Sequence, residues 1–352
     1  AALGDWREDR EKFPGGICSL AEKIREMGMG FGIWFEPEMV SPDSDLYRAH
    51  PDWIIRSSLY DPVLSRTQYV LDLSNPEVCD FIYQSVADIL EKTKASYVKW
   101  DMNRHITDLG SAYLKEKCQR ELSHRYILGL YSILERLNRN LPEVLFEGCS
   151  SGGGRYDAGM LYYMPQTWAS DNTDAVCRLK IQYGTSILFP TITMGSHVSD
   201  VPNHQVRRIT PLSTRFAAAM SGNLGYELDL RKMSEEEKRE VKEEIRFYKS
   251  IREVIQMGRF YRLKNPQRGN EAAWNFVSED GRTVIYCYFR ILSDPLSLSF
   301  PVKLKGLDPD SVYRLEENGL CYGGDELMYA GITSYPEKGD FSSHVYVFQK
   351  IK

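Results

Sequence analysis

The segment YVKWDMNR, from Tyr97 to Arg104, decides the fold, because its apolar, strand-forming start ends abruptly in polar side chains. In a parallel α/β fold, side chains at the carboxyl end of a strand face the ligand. Asp101 lies at that end, and Lys99 lies one alternation earlier on the same face. A cation beside a carboxylate favours the ionised form, so we predict that Asp101 is ionised and can act as a nucleophile. The alternative is that Asp101 caps the next helix.

The same pattern of an apolar strand, a polar turn and an amphipathic helix recurs along the chain. Such alternation predicts a parallel sheet, and the (β/α)8 TIM barrel is the large single-domain form of it. An open doubly wound sheet is the alternative, but no GxGxxG motif follows a strand. The predicted strands are 31–35, 69–73, 97–100, 144–146, 166–169, 191–194 and 224–228. These are seven strands where a barrel has eight, and the chain opens on a helix, so we expect the first barrel strand to be missing.

The pattern of predicted secondary structure changes after residue 257. Short β-type runs follow one another, separated by Asp-Gly, Asp-Pro and Gly-Gly turns. The clearest runs are 283–289, 296–300, 313–315 and 345–348. We therefore predict a catalytic barrel over residues 1–257 and a C-terminal antiparallel β-sandwich over residues 270–352.

Composition excludes several classes of protein. The 352 residues are 42% hydrophobic and 26% charged, which is ordinary for a globular protein. The net charge of −5 and the lack of a basic stripe argue against nucleic acid as a partner, and no apolar run is long enough to span a membrane. The seven cysteines form no CxxC pair and are odd in number, which predicts reduced thiols and a cytoplasmic location.

Polar and aromatic side chains gather at the predicted strand ends and suit a sugar. Carbohydrate sites combine an apolar platform with groups that bind hydroxyls, and glycoside hydrolysis uses an ionised and a protonated carboxylate. Asp171 follows an apolar approach, and partial burial with the nearby Asp101 charge would favour the protonated form that the acid role needs. The strand-end residues are Trp34, Glu36, Lys99, Asp101, Asn103, Cys149, Ser170, Asp171 and His197.

Several of these residues have plainer interpretations. Trp34 and Trp168 are also compatible with core aromatics. His197 is better explained as a hydrogen-bonded supporting residue, and Asp174 as an acid at the start of a helix.

Phosphate and metal sites are not expected. No Lys-Ser or Lys-Thr follows the glycines at 152–154, which excludes a P-loop. His105, Asp157 and His197 show no metal-binding spacing. We therefore expect no cofactor and no metal.

At these residues the chain resembles the α-galactosidases of glycoside hydrolase family 36. The resemblance rests on GIWFEPEMV (32–40), YVKWDMNR (97–104), EGCSSGGGRYD (147–157) and WASDNTDA (168–175), followed by LKIQYGTS. It extends over essentially the whole chain.

The resemblance implies residue roles. Asp101 is expected to be the nucleophile and Asp171 the acid/base. Cys149 is expected near the sugar 2-hydroxyl, where a thiol disfavours an N-acetyl group. The implied sugar contacts are Trp34, Arg66, Lys99, Asn103 and Cys149.

The resemblance also implies a retaining enzyme for α-1,6-galactosides such as melibiose and raffinose that requires no cofactor. It further implies a cytoplasmic homo-oligomer, a tetramer in the complete protein. Family members carry an N-terminal β-sandwich and a first barrel strand with an Asp pair, and both are expected to be absent here. Two alternatives stay open: a transglycosylase of the raffinose-synthase type, and a non-catalytic carbohydrate-binding subunit.

Overall fold

A computed structural model of the chain describes residues 2–295, 300–334 and 339–352. Two units are distinguished, Ala1–Trp168 and Ala169–Lys352. Among the helices in these described ranges, none is long and apolar enough to cross a membrane.

The first unit alternates strands and helices as predicted. Its elements are, in chain order, α1 (Gly16–Glu26), β1 (Gly32–Phe35), β2 (Met39–Val40), α2 (Asp45–Ala49), β3 (Tyr69–Val70), α3 (Pro76–Thr93), β4 (Tyr97–Trp100), a 3₁₀-helix (Glu116–Glu121), α4 (Leu122–Asn140), β5 (Leu145–Gly148), α5 (Ala158–Tyr163) and β6 (Gln166–Trp168).

Strands β1, β4, β5 and β6 form a parallel sheet in that order. Trp34 lies opposite Lys99, and Lys99 lies opposite Glu147, so these three side chains share one face. Val98 and Phe146 point to the other face, where they join the hydrophobic cluster that includes α3 and α4. The polar face of the sheet is therefore available for a site while the apolar face forms the core.

Helix α3 begins where the sequence predicts. The Asn75 side chain accepts a hydrogen bond from the Glu77 N–H at 3.0 Å, and Pro76 occupies the first helical position. The helix ends at Lys94 in the left-handed conformation, with φ of 51°.

The predicted strand at 69–73 does not join the parallel sheet. Only Tyr69–Val70 is a strand, and it pairs antiparallel with Met39–Val40, while β1 pairs directly with β4. The prediction of seven parallel strands was wrong, because strand propensity marks an extended segment without fixing its partner. The described residues contain six, four in the first unit and two in the second. The described residues therefore contain two strands fewer than the eight of a complete barrel, and not one fewer as the sequence predicts.

The second unit starts with α/β elements and ends in antiparallel strands. Its elements are α6 (Ala175–Thr185), a 3₁₀-helix (Thr191–Thr193), β7 (Met194–Ser199), α7 (Leu212–Ala219), β8 (Asn223–Glu227), a 3₁₀-helix (Leu230–Lys232), α8 (Glu235–Met257), β9 (Arg259–Lys264), β10 (Glu271–Val277), β11 (Thr283–Arg290), β12 (Val312–Leu315), β13 (Cys321–Gly323), a π-helix (Glu326–Ala330) and β14 (Ser342–Lys350).

Strands β7 and β8 are parallel neighbours. Helix α8 starts with the predicted capping box, since the Glu237 N–H donates to Ser234 Oγ at 3.1 Å and the Ser234 N–H donates to Glu237 Oε2 at 2.8 Å. The capping prediction is confirmed.

The C-terminal strands form one antiparallel sheet in the order β13-β12-β14-β11-β10-β9. On one face, Trp274 and Phe276 pack in a cluster with Ile251 and Ile255 of α8. The other face is covered by the segment that includes Leu304 and by the π-helix. The antiparallel architecture is as predicted, but among the described strands a helical layer covers one face where a sandwich would place a second sheet.

Two expectations about this part of the chain stay open. Most of the predicted strand at 296–300 lies outside the described residues; only Phe300 is within them. The proposed domain boundary between residues 257 and 270 remains a prediction. The two units instead divide between Trp168 and Ala169.

Glu244 on α8 makes the stability of the second unit depend on pH. It is 7% exposed and accepts a hydrogen bond from the Tyr226 hydroxyl at 2.7 Å, and among the described residues its Oε1 has no hydrogen-bond partner. Burial raises the pKa of this carboxyl to about 7. Because the pKa is higher in the folded state, the protonated Glu244 carboxyl stabilises the fold. This stabilisation is complete below the unfolded-state pKa and is lost as the pH rises through about 7.

We expect Glu244→Gln to remove this loss. The free energy of unfolding of the variant, relative to wild type, should rise by about 3 kcal/mol between pH 4 and pH 8. Urea unfolding at both pH values measures it. Glu243→Gln is the control, because Glu243 is exposed and pairs with Arg246 at the surface. Parallel pH profiles for wild type and Glu244→Gln would contradict the assignment.

Candidate active site

The backbone hydrogen bonds of the parallel sheet continue past the strand ends and fix two candidate residues. The Asp101 N–H donates to Phe35 O, and the Cys149 N–H donates to Trp100 O, both at 2.8 Å. Asp101 and Cys149 are therefore the first residues after β4 and β5 at the same edge of the sheet. This is the placement that the sequence predicted for them.

The Asp101 carboxylate is buried and held by three donors. Its Oδ2 accepts from Trp34 Nε1 at 3.0 Å and from Asn103 Nδ2 at 2.7 Å, and its Oδ1 accepts from the Met102 N–H at 2.9 Å. The side chain is 6% exposed. The structure thus brings Trp34, Asp101 and Asn103 together. The helix-cap alternative fails, because the next helical segment begins only at Glu116.

Lys99 makes its ion pair with Glu147, whose Oε1 lies 3.7 Å from the Lys99 ammonium. The ammonium also lies over the Trp168 ring, 4.8 Å from its centroid. The sequence predicts Lys99 as the charged neighbour of Asp101. The register instead places Glu147 directly opposite Lys99, while Asp101 follows Lys99 by two residues, just after the end of β4. The three hydrogen-bond donors to Asp101 are neutral groups: the Trp34 indole, the Asn103 amide and the Met102 backbone N–H.

Cys149 lies beside Asp101 and is 4% exposed. Burial raises the pKa of its thiol, and the nearby Asp101 charge raises it further. The thiol is therefore protonated at neutral pH. Its role in sugar contact stays a prediction.

Glu36 is a second buried carboxyl at this edge, and the sequence alone gave it no role. Its Oε1 accepts from the Asn103 N–H at 2.8 Å and its Oε2 from Gln68 Nε2 at 3.0 Å. Burial raises the pKa of Glu36, and the Asp101 charge adds to this effect, while the two hydrogen bonds oppose it. Glu36 thus connects the loop that carries Asn103 to Gln68, which lies at the base of a tight hairpin turn formed by residues 65–68.

Arg66 stands at the tip of that hairpin. Ser65 and Gln68 exchange backbone hydrogen bonds, and the two residues between them, Arg66 and Thr67, have positive φ values of 53° and 61°. Such angles are costly for residues other than glycine and are often found at functional sites. In the described part of the chain the exposed Arg66 guanidinium makes no hydrogen bond or ion pair. The hairpin itself is held to the Asp101 loop through Gln68 and Arg104, whose Nη1 donates to Gln68 O at 2.8 Å.

A buried ion pair supports the glycine-rich loop behind these residues. Glu38 is fully buried and accepts two hydrogen bonds from Arg155, at 2.8 and 3.0 Å. It also accepts from Trp100 Nε1 at 2.8 Å and from the Tyr126 hydroxyl at 2.5 Å. Sequence reasoning missed Glu38 and Arg155, because they are 117 residues apart and only the fold brings them together.

Asp171 belongs to the second unit and lies in the loop between β6 and α6. Its side chain is exposed, whereas the sequence predicts partial burial. The loop is well fixed: the buried Arg178 donates from Nη1 to Ser170 O at 3.0 Å, and Asp174 accepts from the Cys177 N–H at 2.9 Å as the cap of α6. Asp174 also forms an ion pair with Arg208. The interpretation of Asp174 as a helix-start acid is confirmed.

His197 on β7 is engaged by a carboxylate. Its Nδ1 lies 2.9 Å from Glu227 Oε2 on β8, and this contact orients the imidazole ring. This agrees with the supporting role favoured from the sequence.

Comparison with known proteins connects this geometry to a family. The family description Melibiase matches residues 1–258, and Glycosyl hydrolase family 36 C-terminal domain matches residues 271–348. The chain therefore belongs to glycoside hydrolase family 36.

Relatives and solved structures agree. Alpha-galactosidase AgaA of Geobacillus stearothermophilus is 51% identical over 351 residues, covering 100% of this chain and 48% of that protein. Alpha-galactosidase Mel36A of Lactobacillus acidophilus is 47% identical with the same coverage. The crystal structure of AgaA matches with a TM-score of 0.97 over 99% of this chain and 49% of that one, which confirms the fold class. The chain spans about half the length of the curated relatives it matches.

We expect Glu38→Gln to destabilise the first unit by about 3–5 kcal/mol, because it leaves the Arg155 charge buried and unpaired. The free energy of unfolding in urea measures the effect. Asp43→Asn is the control: it removes an ion pair with Arg48 in which the Asp43 side chain is 92% exposed, so its effect should stay within about 0.5 kcal/mol. Equal effects of the two substitutions would show that the buried pair does not hold the loop.

Proposed function

We propose that the protein containing this chain is a retaining α-galactosidase that releases terminal α-1,6-linked galactose from oligosaccharides of the melibiose and raffinose type. The observation that carries the proposal is the Asp101 carboxylate. It is buried at the end of β4, oriented by three donors, and flanked by the indole of Trp34 in a chain of glycoside hydrolase family 36.

Asp101 is the proposed nucleophile. Its three hydrogen bonds fix the carboxylate in one orientation, so little reorganisation is needed before attack on the anomeric carbon. The attack forms a β-galactosyl ester with Asp101 and breaks the bond to the leaving oxygen. Attack by water then releases galactose with the original configuration.

Asp171 is the proposed acid and base. As the acid it gives its proton to the leaving oxygen, and as the base it takes a proton from water in the second step. Arg178 and Asp174 anchor the loop on both sides of this residue, so an exposed carboxyl is presented on a fixed backbone. Both steps need only carboxylates, sugar and water. Dominant transfer to an added sugar would instead identify a transglycosylase.

Substrate recognition is assigned to groups around Asp101. The Trp34 side chain is 44% exposed and can stack on the C–H face of a sugar, while Lys99, Asn103 and Arg66 can donate to hydroxyls. The buried Cys149 thiol leaves less room for an N-acetyl group. Variants of AgaA have been solved in complex with raffinose and with stachyose, which supports this class of substrate.

A cytoplasmic location and a homo-oligomeric, tetrameric assembly are further parts of the proposal. All seven cysteines are free, which supports a reducing compartment. The assembly rests on the family resemblance. Secretion in a disulfide-bonded form would contradict the location, and a monomer in sedimentation would contradict the assembly.

The test of the nucleophile is Asp101→Ala in the intact protein. Hydrolysis of p-nitrophenyl α-galactoside should fall by roughly 10⁴-fold or more, because the covalent intermediate cannot form. Added azide fits the space that the carboxylate leaves and should restore turnover with formation of β-galactosyl azide, identified by NMR. An α-configured azide would overturn the assignment. An inactive wild-type protein that still binds galactose would favour a carbohydrate-binding subunit.

The test of the acid is Asp171→Ala with galactosides of graded leaving-group pKa. Substrates with good leaving groups need no proton, so they should keep most of their glycosylation rate, while raffinose should lose roughly 10²–10⁴-fold. Pre-steady-state release of the leaving group measures the rate. A uniform loss across all leaving groups would argue against the acid role.

A further inference from the structure

A cavity of about 520 Å³ lies in the second unit, at the carboxyl ends of β7 and β8. Ser199 ends β7, Glu227 ends β8, and both line the cavity. Thr173 contributes to the wall and stands two residues after Asp171 in the same loop. The carboxyl ends of strands carry the ligand sites in folds of this class. None of the residues that line this cavity takes part in the proposed reaction.

Arg215 presents a buried guanidinium to the cavity. It is 6% exposed, and it donates from Nη1 to Ser199 O at 2.8 Å and from Nε to Thr210 O at 3.3 Å. Within the described residues its Nη2 makes no hydrogen bond. A buried charged group with an unused N–H donor is energetically costly unless a ligand or a water molecule accepts a hydrogen bond from it.

Arg207 supplies a second guanidinium from a constrained turn. Its φ is 58°, in the left-handed region, and its N–H donates to Asn203 O at 2.8 Å. The buried Asn203 holds this turn to the Asp171 loop, because its Nδ2 donates to Thr173 Oγ1 at 3.0 Å. The exposed Arg207 side chain has no hydrogen bond or ion pair in the part of the chain that is described. A strained turn that displays such a group is a feature of ligand clamps.

The lining indicates the chemistry of the ligand. Its basic groups, Arg207, Arg215 and Lys232, are matched in number by acidic groups, so a phosphate or other anion would meet as much repulsion as attraction. Apolar side chains between them suit the C–H faces of a sugar, and the charged groups suit its hydroxyls. The acidic groups are Asp200, Glu227 and Glu237, and the apolar ones are Val201, Pro202, Leu228 and Met233.

We propose that this cavity binds the sugar units on the leaving-group side of the scissile bond, with Arg207 and Arg215 donating to their hydroxyls. The inference rests on the proposed function, because Asp171 protonates the oxygen to which those units are attached. The Asn203–Thr173 hydrogen bond then couples recognition of the leaving saccharide to the loop that carries the acid.

The test compares raffinose with p-nitrophenyl α-galactoside, which has no sugar on the leaving side. In the intact protein, Arg207→Ala should lower the ratio of kcat/KM for raffinose to kcat/KM for the nitrophenyl substrate by about 5–10-fold. Arg215→Lys should act in the same direction. Arg231→Ala is the matched control, since its side chain is 90% exposed and pairs with Asp229 away from the cavity lining. An unchanged ratio in Arg207→Ala would overturn the proposal.

Direct binding separates this inference from the proposed reaction. Calorimetry of raffinose and of galactose is carried out with Asp101→Asn, alone and combined with Arg207→Ala. The combined variant should bind raffinose about 5–10-fold more weakly and show a smaller effect on galactose. Wild-type protein without activity would refute the proposed function, while a selective loss of raffinose binding would still support the cavity as a binding site for the leaving-group sugars. Equal effects on raffinose and galactose would refute that role of the cavity. If Arg215→Lys fails to fold, Lys232→Ala replaces it in the comparison of kcat/KM values.

Discussion

The parallel register of β1, β4 and β5 is the constraint on which the candidate site depends. It sets Trp34, Lys99 and Glu147 in one row, and its backbone hydrogen bonds continue to Asp101 and Cys149. A shift of one residue would turn every one of these side chains to the opposite face of the sheet, into the hydrophobic core. The position of the proposed nucleophile therefore follows from backbone pairing, and side-chain donors only refine its orientation.

Two kinds of polar group surround that nucleophile, and they serve different purposes. Glu38 and Arg155 satisfy each other in the interior, where an unpaired charge would be strongly destabilising, so they act as a rigid support. Glu36 is also buried, but it has neutral partners and the Asp101 charge nearby, and its pKa is raised. The first arrangement favours a fixed loop, and the second keeps a proton-binding group next to the reacting carboxylate.

In the second unit, Asp171 and Arg207 lie in loops rather than on strands. Asp171 is exposed, yet hydrogen bonds from Arg178 and to Asp174 hold the backbone on either side of it. Asn203 extends this scaffold to the turn that carries Arg207. Exposed side chains on a well-anchored backbone can reach a substrate without the desolvation cost that burial would impose on their charges.

The sequence by itself determined the alternation of strands and helices, the caps at Asn75 and Ser234, and the place of Asp101 at a strand end, because these depend on local periodicity and side-chain chemistry. It did not determine that 69–73 leaves the parallel sheet, that Lys99 pairs with Glu147, or that Arg207 and Arg215 share a cavity. Those outcomes depend on contacts between distant segments, and a local pattern marks a strand or a charge without specifying its partner.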